Sequence, residues 1–453
     1  MLPEKWDRKT DVIVVGTGFA GLAAAIEAYD SGASVIVLEK MATPGGNSII
    51  ASGGVNAVDP KRQIAQGIKD SVDLHFKHTF KGGNQLGDPE KIRFMVENAL
   101  EMCVNWLEDI GIRWPEKVVQ GFGALWERTH LPARYKKYRR GAAIVNAELD
   151  QVRKRGIPIM LKHKVTKIIR EKPLGGNVLG VEIETAGKKL CFKAKRGVVL
   201  ASGGFSANLE LVVDHDRRLA NTPTTNHSGA TGECIKMAQD IGADIVGMDY
   251  IQCVPMTVRH PFLGYFFVIS SKEIRVYPST NSYRIFVNKK GNRFVREDGR
   301  RDEIMFAAFS QPPFEPIPNV KTETIEELEK KLGTQEGNMV KTIEKYNSYC
   351  DARHDQDFGK LPPLLIPCRI PPFEAETNAP GRHHTMGGLK VKGTTGKVVD
   401  RYGKIIPRLY AAGEVTGGTH GANRLGHNAT TECIVFGRVI GKLAAAEKTI
   451  EMG

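Results

Sequence analysis

An α/β fold built on a parallel, nucleotide-binding sheet, with an α+β segment inserted into it, is predicted by three observations. A complete strand–helix–strand unit opens the chain. Glycine-rich strand ends recur near residues 203 and 413. Between them the character changes to aromatic, β-branched and proline-rich stretches, before the strand-and-glycine pattern returns near the C-terminus. A nucleotide-binding unit whose two ends lie so far apart in the chain implies that the middle is an insertion.

Residues 11–15 form a short apolar run bounded by glycine, the pattern of a buried parallel strand. Gly16-x-Gly18-x-x-Gly21 follows and leads into an alanine-rich helix over 22–29; Gly32 ends it and 34–38 is the next strand. In this βαβ unit Gly16 permits the tight turn, Gly18 lets the backbone approach a pyrophosphate and Gly21 allows close helix–strand packing, while the helix N-terminus favours negative charge. Glu39, at the end of the second strand, can accept from ribose hydroxyls. The motif alone could be a structural turn; its placement points to dinucleotide binding.

Residues 60–155 read as helical and loop-rich. Strands are expected over 157–161, 178–183, 190–195 and 197–201, partly as a small antiparallel sheet set into the nucleotide-binding unit, and a helix over 231–241 closes at Gly242. After about residue 249 come strands near 265–270 and 283–288 and helices over 323–332 and 337–351, between proline-rich connections at 311–318 and 360–373. A strand over 408–414 and a helix over 431–447 complete the chain. The turns Gly45-Gly46-Asn47-Ser48 and Ala51-Ser52-Gly53-Gly54 lie too close to the first βαβ unit for a second NAD site. They suit a cofactor that stays extended through the domain, as do Gly203-Gly204 and Gly413-Glu414, so FAD is favoured over NAD.

The 453 residues allow two to four domains, and 41% hydrophobic with 25% charged residues is ordinary for a globular protein. The net charge of +13 suits anionic partners: carboxylate substrates, a polyanionic cofactor or an acidic electron donor. A basic cluster at Arg134, Lys136, Lys137, Arg139 and Arg140 comes with no nucleic-acid-binding signature, so RNA binding is the weakest reading. Seven scattered cysteines without C-x-x-C exclude an encoded iron–sulfur cluster or c-type haem and fit a reduced compartment; residues 1–10 carry no apolar signal core, so a cytoplasmic location is expected, with an exported, processed form left open. No metal site and no membrane span are expected.

Three segments in order carry a resemblance: Gly291-Asn-Arg-Phe-Val-Arg-Glu297 leading to Arg301-Asp302, Arg382-His-His-Thr-Met-Gly-Gly388, and Ala411-Ala-Gly-Glu-Val-Thr-Gly-Gly-Thr-His-Gly-Ala-Asn-Arg-Leu-Gly426. The chain resembles the fumarate reductase/succinate dehydrogenase flavoprotein family, with 2-enoate reductases and ketosteroid dehydrogenases as relatives, over nearly its whole length. The resemblance implies a Rossmann-like FAD-binding domain at 1–248 and 385–453, a clamp domain at about 249–384, and an active site between them. It implies Arg301 as proton donor, with Arg300 a rival one register away, His383 and Arg424 as substrate carboxylate holders, and His384 as a flavin contact. Further cofactor contacts follow at Lys40, Val165, Ala201, Glu233, Ala429 and Thr430. Relatives with covalent flavin carry a histidine after the position of Glu39; Asn47-Ser48 here implies non-covalent FAD.

Two departures shape the substrate expectation. Where fumarate reductases place a histidine for the second carboxylate, this chain has Val254, beside Cys253 and Met256. The clamp strand that supplies a threonine, a glutamate and an arginine gives Val276, Tyr277 and Thr280, unless an insertion brings Glu273 and Arg275 into the proton relay. A buried carboxylate without partners costs several kcal/mol, so the expected substrate is a 2-enoate with one carboxylate and an apolar or aromatic far end, with Val254 and Tyr277 at that end. Electrons are expected from a separate donor protein. The alternatives are a desaturase of ketone or steroid type and an electron-transfer subunit.

Overall fold

The structure is a computed structural model that describes residues 2–277 and 281–450; Thr280 lies outside the described residues. The first unit is as expected: β1 (Arg8–Val15), α1 (Phe19–Asp30) and β2 (Val35–Leu38) form a βαβ unit with β1 and β2 parallel. The sheet continues on one side to Ile159–Met160 and on the other to Lys188–Leu200 and Ile405–Ala411, all parallel. The two ends of the chain thus contribute strands to one sheet, with Lys188–Leu200 between Arg8–Val15 and Ile405–Ala411.

Strand alternation assigns the two faces. Val12, Val14, Val35, Val37 and Val199 point into a core shared with α1 and the C-terminal helix Asn428–Ala445. Ile13, Val15, Ile36, Leu38, Val198 and Leu200 point into a second core on the opposite face. Each fully buried aliphatic side chain of this kind contributes roughly 1.5–3 kcal/mol. The C-terminal helix lies close against α1: a Cβ at Gly437 or Gly441 would stand 2.6 or 2.2 Å from the carbonyl oxygens of Ala20 or Ala24.

Residues 190–195 and 197–201, expected as separate strands, are one strand, Lys188–Leu200. Its first half pairs antiparallel with Gly175–Thr185 and its second runs parallel to β1, with an irregularity between Thr10 and Val12 absorbing the change. Charged residues in the first half mark a solvated strand rather than a break.

A second sheet, Ile251–Thr257, Phe266–Ser270, Ile285–Val287 and Val320–Thr322, is organised around the long strand Phe373–Thr385. Phe266 and Val268 join the core that reaches the nucleotide-binding sheet, whereas Phe267 and Ile269 pack under helices Ile325–Leu332 and Asn338–Ala352. The active side of this sheet is therefore held against the first unit. Among the described residues no helix is long and apolar enough to cross a membrane.

Candidate active site

A groove begins at the N-terminus of α1, where its wall includes Gly16, Gly18, Glu39, Lys40, Gly46, Asn47, Ser48, Val165, Ala201, Gly203 and Glu233. Phe19, Asn47, Ser48, Glu414 and Cys433 also border a second cavity of about 800 Å³, walled by Val254, Arg301, His383, His384, Arg424, Ala429 and Thr430. The two are one continuous site. Gly21, Gly53, Gly54, Gly204 and Gly413 are not in either wall. They stand behind it, where a side chain would collide with a neighbour: at Gly21 with the Gly16 carbonyl (2.1 Å), at Gly204 with Thr385 Oγ1 (2.1 Å).

The groove suits an extended dinucleotide. Gly16 adopts φ +110°, and a Cβ there would lie 2.3 Å from the Ala201 carbonyl oxygen, so backbone meets backbone at the turn. Glu39 is held by the Thr17 hydroxyl (2.5 Å) and the Met41 amide (2.9 Å). Ser48 Oγ accepts from the Phe19 amide at the start of α1 (3.0 Å), tying the second turn to the helix N-terminus. Further along, Lys40 pairs with Glu233 at 2.6 Å and donates to Thr231 at 2.7 Å. These residues would hold an FAD: the N-terminus of α1 suits a pyrophosphate and Glu39 suits a ribose.

At the other end two guanidinium groups are buried together. Arg301, in the first turn of helix Arg301–Phe309, donates to the Phe122 carbonyl from Nε (3.1 Å) and Nη2 (2.9 Å) and to Gln252 Oε1 from Nη1 (3.1 Å). Arg424 Nη2 donates to the same Gln252 oxygen at 3.1 Å, and its Nε is buried with no partner. Gln252 is fixed in turn by donating to Asn423 Oδ1 (2.6 Å) and the Arg424 carbonyl (2.8 Å). Burial and then the neighbouring Arg424 lower the Arg301 pKa well below its ordinary value. Burial brings Arg424 down to about 10, against the pull of Glu414. Arg300 faces away: it pairs with Asp302 at 2.8 Å and Glu303 at 3.2 Å.

The Gly291–Glu297 segment explains how Arg301 is held. Arg293 makes paired bonds to Glu297 (2.9 and 2.8 Å) and Asp355 (3.1 and 2.9 Å). That buried cluster anchors the loop that leads into the Arg301 helix.

His383 reaches the cavity through a bulge. In the pairing of Ile251–Thr257 with Phe373–Thr385, Gln252 faces His384 and Cys253 faces Arg382, so His383 is the extra residue. Bulges of this kind re-aim a side chain. Thr225 Oγ1 lies 2.8 Å from His383 Nδ1, and Asn226 donates to the His383 carbonyl at 2.7 Å. Burial, then Arg301 and Arg424, hold the His383 pKa well below normal, so its imidazole is neutral. His384 Nδ1 is 3.4 Å from Glu414 Oε1.

Tyr277 is not in the cavity wall. It is 38% exposed and stacks on Tyr283 at 4.6 Å; strand Phe266–Ser270 gives way to a short helix, Lys272–Arg275, before it. Glu273 and Arg275 are also drawn elsewhere. Glu273 accepts from the Arg369 and Ile370 amides (2.6 and 2.9 Å) and Arg275 pairs with Glu374. Neither reaches Arg301. The cluster weighed for nucleic acid instead sends Arg134, Arg139 and Arg140 to the cavity rim, where they attract anions.

Gln252, Phe122 and His427 were not singled out by sequence reasoning. Gln252 is a common residue in an apolar strand, and Phe122 acts through its backbone. The Gly121-Phe122-Gly123 segment carried the one available signal, two glycines flanking an aromatic residue.

With this geometry in place the comparisons are direct. The FAD binding domain family matches residues 11–430, and the chain belongs to that family. It is similar to the NADH:fumarate oxidoreductase of Klebsiella pneumoniae (37% identical; 96% of this chain, 47% of that protein) and to the acrylate reductase flavoprotein subunit of Shewanella woodyi (32% identical; 97% and 92%). The chain thus spans about half the length of the first of these relatives. Among solved structures it is similar to the open conformation of a flavocytochrome c3 fumarate reductase, with 33% identity, a TM-score of 0.75 and coverage of 97% of this chain and 78% of the other. Fold and site together make the chain a fumarate reductase-like flavoprotein of that family.

Proposed function

We propose that the FAD-loaded chain reduces the C=C bond of a 2-enoate, the clamp being residues 249–384 and the FAD-binding domain 1–248 with 385–453. The observation that carries this is the pair of buried guanidiniums on Gln252, with an unpartnered Arg424 Nε, facing a cavity continuous with the dinucleotide groove. Neither guanidinium has an ion-pair partner among the described residues, and burying such charge is costly, so the pocket suits an anion.

Arg424 and the neutral His383 hold the carboxylate. A bound, reduced FAD would supply the hydride that the β-carbon receives. Arg301 delivers a proton to the α-carbon, which becomes basic as hydride arrives; burial among like charges makes this guanidinium a stronger acid than usual. The product has one new C–H bond at each carbon, and the two electrons come from a separate donor. Val254 and Pro255 line the cavity and offer no side-chain donor, which supports a monocarboxylate with an apolar or aromatic end. The cavity wall contains no tyrosine among the described residues, which weighs against a desaturase.

Reduced viologen should be oxidised faster by acrylate, methacrylate, cinnamate or urocanate than by fumarate or a 3-ketosteroid enone. Turnover of fumarate alone would discard the pocket reading. The flavin is proposed to be non-covalent, since Asn47 bonds Asn226 and the His227 amide and Ser48 bonds Phe19. Acid precipitation should release all flavin into the supernatant; yellow pellet that survives washing would show a covalent bond.

A further inference from the structure

His427 is built into the same pocket by an unusual arrangement. It stands immediately before the C-terminal helix at φ +69° and ψ −9°, a left-handed conformation that favours glycine over a ring-bearing side chain. Two glycines clear space for its ring. A Cβ at Gly54 would lie 2.4 Å from His427 Nδ1, and one at Gly121 would lie 2.1 Å from Cδ2. The segment that accommodates His427 at Gly121 also accommodates Arg301. A Cβ at Gly123 would lie 2.4 Å from Arg301 Cγ, and the Phe122 carbonyl between them accepts two Arg301 bonds. Gly426 closes the unit by donating to the Gly123 carbonyl at 2.9 Å.

No described residue satisfies this imidazole well. Its Nδ1 has Ser52 Oγ at 3.4 Å, a long contact, and its Nε2 has no hydrogen-bond partner among the described residues yet is not sealed from the cavity it lines. A purely structural histidine would be expected to gain bonds in exchange for its backbone strain and the space it takes.

We infer that His427 is a further substrate-binding residue, donating from Nε2–H to an oxygen of the bound carboxylate beside Arg301 and Arg424. Burial, then the two guanidiniums, keep the ring neutral, with its pKa held down to about 3, so it donates one proton without adding a third positive charge. The assignment takes the tautomer with hydrogen on Nε2, in which Nδ1 faces Ser52 Oγ as an acceptor. The assignment rests on the reading of this cavity as an enoate site.

The test uses FAD-loaded wild type, His427→Gly, which suits the left-handed backbone, and His427→Asn, which also tolerates it and retains a donor. KM for the preferred enoate and the Kd for propionate, read from the flavin absorbance, are measured in each. The expected result for His427→Gly is a rise of about tenfold or more in both, the size of one bond to a charged group, with kcat changed less and partial recovery in His427→Asn. Unchanged KM and Kd in His427→Gly would overturn the assignment while leaving enoate reduction intact. If wild type turns over no enoate but binds propionate, and His427→Gly weakens that binding, the assignment stands and the reduction reading falls. No response of the wild-type flavin to propionate or to any enoate overturns both.

Discussion

Arg301→Ala should lower kcat for the preferred enoate on the order of 10²–10⁴-fold, the range for loss of a positioned general acid, while FAD content and melting temperature stay near wild type. The neighbouring candidates are not placed to replace it: Arg300 is turned to Asp302 and Glu303, and Glu273 and Arg275 are engaged elsewhere. Arg301→Lys keeps a cation but cannot reproduce the three bonds to the Phe122 carbonyl and Gln252. It should fall between alanine and wild type. Stopped-flow oxidation of the dithionite-reduced flavin by the enoate isolates the step. Retained turnover in Arg301→Ala would remove Arg301 as the acid and favour an electron-transfer role for the chain.

Gly16→Val should yield protein without flavin, or no folded protein. The position needs φ +110°, and even the first added carbon would lie 2.3 Å from the Ala201 carbonyl oxygen and 2.8 Å from its carbon. Those atoms belong to the end of the strand beside β1, so they cannot move without opening the parallel sheet. Changes that strain a special backbone position and crowd a core at once fall in the range above about 4 kcal/mol. The absorbance ratio at 450 and 280 nm and a thermal melt would report it. A variant with full flavin occupancy would mean that the turn is not the cofactor's cradle.

The dinucleotide half of the site was legible because its chemistry is local. Gly16, Gly18 and Glu39 act through a turn and the strand that follows it, and the spacing of a βαβ unit allows few other arrangements. Arg301, His383 and Arg424 were legible as residues, through the motifs around them, but not as a group. Arg301 and Arg424 are 123 positions apart in the chain, and only the packing of the second sheet onto the first puts both on Gln252.

Tyr277 shows the opposite failure. Counting back from Asn288 assigned it to the pocket, but the chain between them turns through a short helical segment at Asn281–Tyr283, so linear spacing does not carry its side chain to the cleft. His427 was hidden for a related reason. Nothing in Leu-Gly-His-Asn announces a left-handed histidine; its meaning lies in Gly54 and Gly121, distant residues whose missing side chains leave the space.

By itself, then, the sequence determined the parallel sheet, the glycine-rich turn after its first strand and the residue types that meet at the cavity, since hydrophobic period, glycine spacing and short motifs are properties of neighbouring residues. Only the tertiary structure decided which of two adjacent arginines faces the cavity, that His383 is aimed there by a bulge, and that Gln252 joins two buried cations. Those outcomes depend on strand register and on space left by distant glycines, which arise when separate segments pack together.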